Sequence, residues 1–212
     1  MDLNPPSVDF APPLHVIALA TCAPGGEAGS APEAAWLRAQ RDALEAGGAH
    51  LEHWIAHWRK APPPQDARLR ALADAWHLSS AEVIAVALGC AAETDAMIGR
   101  VLAWLQAPVG GARPTLGLLA TLAARFGEPA ALAALAGGAA RESGLIQFNA
   151  EPRALPEASL AVPLPIVFAL ADPASRLAPQ RVHIGLAAPL ALPPSLREAA
   201  RSRARALSSA AG

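Results

Sequence analysis

Three histidines, His50, His53 and His57, recur at three- and four-residue spacing. On a helix that spacing sets all three imidazoles on one side, where they could share a metal ion. The same stretch carries Leu51, Trp54, Ile55 and Trp58 as an apolar stripe, while Glu52 falls off the histidine side and no further ligand stands nearby. A row of surface histidines is therefore the simpler reading. Glu93 and Asp95 are a second candidate, because paired carboxylates perform acid/base work when their surroundings drive their pKa values apart. They also interrupt an apolar run where Asp95 or Thr94 could cap the helix that follows, and the cap is the preferred reading. A third group, Arg197, Arg201, Arg203 and Arg205, falls on a C-terminal helix. Of these, Arg197, Arg201 and Arg205 are the candidate partner contacts, although Glu198 in the same stretch also fits a solvated face.

Other chemistries lack their signatures. The phosphate-cradling pattern GxxxxGK[ST] is missing, and the single lysine, Lys60, precedes Ala61 and three prolines. GxSxG, CxxC and HExxH patterns are missing too, so no catalytic residue, cofactor or structural zinc is expected. Cys22 and Cys90 are far apart, and Cys90 lies in the apolar run Val83 to Ala92, as a buried thiol would. With 17 basic and 18 acidic residues the net charge is -1, which offers no general attraction to nucleic acid or anionic lipid. No apolar stretch reaches the roughly 20 residues of a membrane span and the N-terminus has no basic leader, so a cytoplasmic protein is expected.

The elements that would position these residues are mostly helical. Apolar residues are 53% of the 212, aromatics only 4%, and Ala and Leu dominate, which favours helix over strand. Residues 1–29 are rich in Pro and Gly, with one short strand or buried segment at Leu14 to Ala20. Ser30, Pro32 and Glu33 signal a helix start, and that helix should run to about Ala46. A second covers Ala49 to Lys60, and the prolines at 62–64 mark a boundary. Helices follow at Asp66 to Trp76, from the Ser79/Glu82 capping box through Val83 to Ala92, at Met97 to Leu105, at Thr115 to Phe126 and at Ala130 to Ala136. Leu145 to Phe148 reads as a strand, with Val162 to Phe168 as its partner at a sheet edge because of Pro163 and Pro165. Ser195 to Leu207 is a last helix. The fold class is thus mainly α with a small β ribbon (α+β). The segments are 1–61, a helical N-terminal part; 66–170, a helical and ribbon domain; and 171–212, a linker and C-terminal helix.

Residues 66–170 resemble the winged-helix domain that precedes the AAA ATPase module in a bacterial ATPase family, some members of which accompany contractile injection systems. The resemblance rests on Leu69-Arg70-Ala71-Leu72-Ala73, Leu78-Ser79-Ser80-Ala81-Glu82 and Cys90-Ala91-Ala92-Glu93-Thr94-Asp95, followed in order by Arg113-Pro114-Thr115-Leu116-Gly117-Leu118 and Ser143-Gly144-Leu145-Ile146. It implies a winged-helix-like domain and a non-catalytic interaction or regulatory role. It also implies that the chain is the N-terminal portion of a longer ATPase, with ATP and Mg bound by a following module. The expected partner is that module or another protein, with any oligomer formed through the parent protein. A winged-helix DNA binder is the alternative, with Thr115 to Phe126 as its recognition helix. That helix offers Arg125 as its one charge, which is poor for base or phosphate contact.

Overall fold

A computed structural model describes residues 12–25, 31–46, 54–149 and 154–171. The described residues all fall in one compact unit, and residues 172–212 lie outside them. The described part is mostly helical with a small two-stranded antiparallel sheet.

The first element differs from expectation. Leu14–Ala20 is not a strand but a helix, α1, with Leu14, Ile17, Ala18, Leu19 and Ala20 buried. A seven-residue apolar run fits a buried helix or a buried strand equally well. Here the decision is tertiary, because the backbone N–H of Leu14, one of the donors a helix start leaves open, donates to the carboxylate of Asp66 at 2.7 Å. Helix α2 (Pro32–Ala46) and helix α3 (Trp54–Lys60) lie against α1 and bury Leu37, Leu44 and Trp58. After the prolines, a 3-10 turn at Pro64–Asp66 leads into α4 (Ala67–Ala75).

Helix α5 (Ser80–Thr94) is the centre of the core. Its capping box forms in full, with the Ser79 hydroxyl accepting from the Glu82 N–H and the Glu82 carboxylate accepting from the Ser79 N–H. Every residue from Ala81 to Gly89 is buried. Glu82 also accepts the Ala140 N–H at 2.7 Å, so one buried carboxylate joins two helix starts. Gly89 lets the β-ribbon approach: a Cβ there would meet Val162 Cγ2 at 2.6 Å. Asp95 caps α6 (Ala96–Leu105) by accepting the Met97 N–H, and Arg100 of α6 pairs with Glu33 of α2 at 2.6 Å.

Thr115 caps α7 (Leu116–Arg125), which buries Leu116, Leu119, Leu122 and Ala123. A turn with Gly127 at φ 84 leads to α8 (Ala131–Gly137) and α9 (Ala139–Glu142). Strand β1 (Gln147–Phe148) then pairs antiparallel with β2 (Leu160–Ala161), Gln147 opposite Ala161 and Phe148 opposite Leu160, and a further bridge joins Thr115 to Ser159. The partner strand expected over Val162 to Phe168 is therefore displaced: pairing ends at Ala161, and Leu164–Ala171 is a helix, α10. Pro165 stands in its first turn, where a missing N–H costs little, and the carbonyl of Pro163 accepts from Ile166 and Val167.

One core cluster takes Leu14, Leu37 and Trp58 together with Val83, Leu102, Leu119, Leu135, Leu160 and Val167, so residues on both sides of the prolines at 62–64 share it. Among the described residues no helix is long and apolar enough to cross a membrane.

Candidate functional site

The triple proline and the 3-10 turn carry Asp66 into the interior, where it is 7% exposed. Its Oδ2 accepts two N–H groups, from the Leu14 backbone at 2.7 Å and from Trp58 Nε1 at 2.8 Å. The start of α1, the helix α3 and the turn before α4 thus meet on one oxygen. Beside it lies a cleft of about 320 Å³, whose lining includes His15, Asp66, Leu69, Cys90, Thr94 and Val167. Helix α10 closes one side and is held there by Arg68, which donates to the Ala169 carbonyl at 2.6 Å.

Burial lowers the pKa of His15 below its ordinary 6.5, while the charges of Asp66 and Asp95 act in the opposite sense. Burial pushes the Cys90 thiol up to about 12, and the nearby Glu93 charge adds to the effect. At neutral pH the cleft therefore presents a neutral imidazole and an intact thiol. Such a thiol is not a nucleophile, since thiolate is the reactive form. The arrangement can bind; it does not assemble an activated cysteine.

Of the histidine row, His57 is described: it is exposed on α3, its ring edge-on to Trp54 with centroids 5.6 Å apart. His50 and His53 lie outside the described residues, and among those described no group of three His, Cys, Asp or Glu side chains is placed to hold a metal. Glu93 and Asp95 have separate partners: Glu93 accepts from Arg113 Nε at 2.7 Å, and Asp95 caps α6. Arg197, Arg201, Arg203 and Arg205 lie outside the described residues. Sequence reasoning missed His15 and Asp66. Asp66 stands where a helix was expected to begin, and its actual donors, residues 14 and 58, leave no local signal.

The helix faces complete the site inventory. Arg125 of α7 donates to the Thr21 carbonyl, and α8 carries only Ala, Leu and Gly. On α10, Leu164 and Phe168 point outward, one turn apart, at 53% and 58% exposure. Comparison with known protein families, curated proteins and solved structures finds no match to this chain.

Proposed function

We propose that this chain is a non-catalytic protein-interaction region of a bacterial AAA-type ATP-binding protein, acting in the cytoplasm. The observation that carries the interaction role is the outward face of α10. Leu164 and Phe168 are large apolar side chains left more than half in water, one turn apart on the last described helix. Burying such side chains against a partner gains roughly 1.5–3 kcal/mol each when exposure is complete, and about half that here. The winged-helix-like reading is supported by the order of elements: α7 and α8 joined by a short turn, then β1 and β2, with the Thr115–Ser159 bridge extending the ribbon.

The occupant we assign to the α10 face is the ATP-binding module, which in the family that residues 66–170 resemble follows this domain. ATP and Mg would be held there. A DNA-reading role is the weaker alternative. Its recognition helix would be α7, whose one charged side chain, Arg125, already donates to the Thr21 carbonyl, which leaves little for base or phosphate contact. The test is to read the gene beyond codon 212 and to compare ATP binding by the 212-residue chain and by the longer product. A GxxxxGK[ST] motif, with ATP bound only by the longer protein, is the expected result. A stop codon directly after Gly212, or ATP bound equally by the short chain, would overturn the ATPase assignment.

A further inference from the structure

The geometry points to the cleft between α1, α4, α5 and α10 as a binding site for a small organic cation with an apolar body, of the primary alkylammonium class. Three observations converge on that ligand. First, the walls are apolar: Pro13, Leu69, Ala87, Ala91, Val167 and Leu170. Second, beside the uncharged polar side chains of His15, Gln65 and Thr94 the lining holds a nearly buried carboxylate, Asp66. Both N–H donors to Asp66 converge on Oδ2, and no hydrogen bond to Oδ1 is formed by the described residues, so that oxygen is the acceptor left for a ligand. Third, the field has one sign. The charge of Asp95 acts on His15, that of Glu93 acts on Cys90, and no Lys or Arg stands in the described walls.

His15 does not act as a cation there, because burial keeps its imidazole neutral at pH 7. A carboxylate facing an apolar cleft whose described lining holds no Lys or Arg favours an ammonium group, which supplies up to three N–H donors and the compensating charge. At about 320 Å³ the space equals that of about ten liquid waters. That suits a six-carbon amine better than a nucleotide or a peptide. This inference is independent of the ATPase assignment, since it uses none of the α10 outer face.

The test uses the whole 212-residue chain and three matched probes, hexylammonium, hexanol and hexanoate, titrated calorimetrically at pH 7. Cys90 provides a local reporter, because alkylation by iodoacetamide at pH 9 followed by peptide mapping distinguishes it from Cys22. The expected result is that hexylammonium binds at least tenfold more tightly than either other probe and slows Cys90 alkylation severalfold while Cys22 is unaffected. Leu170→Trp, at a half-buried position on the cleft wall, should weaken hexylammonium at least tenfold with the circular dichroism spectrum unchanged. Equal binding of hexanoate or hexanol, no binding of hexylammonium at millimolar concentration, or unprotected Cys90 at saturation would each overturn the proposal.

Discussion

Replacing Asp66 tests whether one buried oxygen joins the N-terminal helix to the rest of the core. Asp66→Ala leaves two donors, the Leu14 N–H and Trp58 Nε1, without their acceptor in the interior. A hydrogen bond to a charged group contributes about 1.5–3 kcal/mol, and stranding its buried partner costs a similar amount. Two such bonds, partly recovered by water entering the adjoining cleft, give an expected loss of about 3–5 kcal/mol. Asp66→Asn is the informative control. Both donors use Oδ2, so an Asn carbonyl oxygen at that position can still accept both, and only the charge assistance, about half of each bond, disappears. The expected loss is then about 1–3 kcal/mol. The assay is urea unfolding followed by tryptophan fluorescence, read as the change in midpoint at constant slope. A loss below about 1 kcal/mol for Asp66→Ala would refute the reasoning, and so would equal losses for Ala and Asn.

Three further outcomes follow from the structure. Because the folded pKa of His15 lies below 6.5, the unfolded chain binds the proton more readily. Stability should therefore be full above about pH 6.5, fall as pH drops from there to the folded pKa, and then level off; His15→Gln should remove that slope from the unfolding free energy measured at several pH values. Gly89→Ala sets a Cβ against Val162, so it should lower stability by about 1–3 kcal/mol in chemical denaturation, and pairing it with Val162→Ala should recover part of the loss. Cys90, with its thiol pushed up to about 12, should be alkylated at pH 8 roughly a thousandfold more slowly than a free thiol, as followed by mass spectrometry of the native protein.

Local signals in the sequence account for much of the helical framework. The Ser79/Glu82 capping box acts within one turn of chain, and the structure shows it at the expected place; the helix expected over Thr115 to Phe126 forms as Leu116–Arg125, with Thr115 as its cap and Gly127 in the turn after it. The misreadings involve short apolar segments whose conformation depends on distant residues. Leu14–Ala20 is a helix because Asp66 accepts its first N–H and the surrounding core covers it on most sides. Leu164–Ala171 is also apolar and β-branched in part, but Pro163 and Pro165 serve there as helix-start residues and not as sheet-edge residues. The cleft was illegible for the same reason. His15, Asp66, Cys90 and Val167 come from four helices or turns spread across the chain, and no spacing rule connects them. The arginines of 197–205 and two of the three histidines fall outside the described residues.

The interaction role is tested most directly by calorimetric titration of the 212-residue chain with the ATP-binding module supplied as a separate protein, comparing wild type with the double variant Leu164→Glu, Phe168→Glu. Both side chains are more than half exposed, so the variant should keep its fold, as thermal unfolding would verify. Our account expects the wild-type chain to bind and the variant to bind at least about tenfold more weakly, a loss of about 1.4 kcal/mol or more. Equal affinity for the two, with both chains folded, would contradict the assignment of α10 as the docking face.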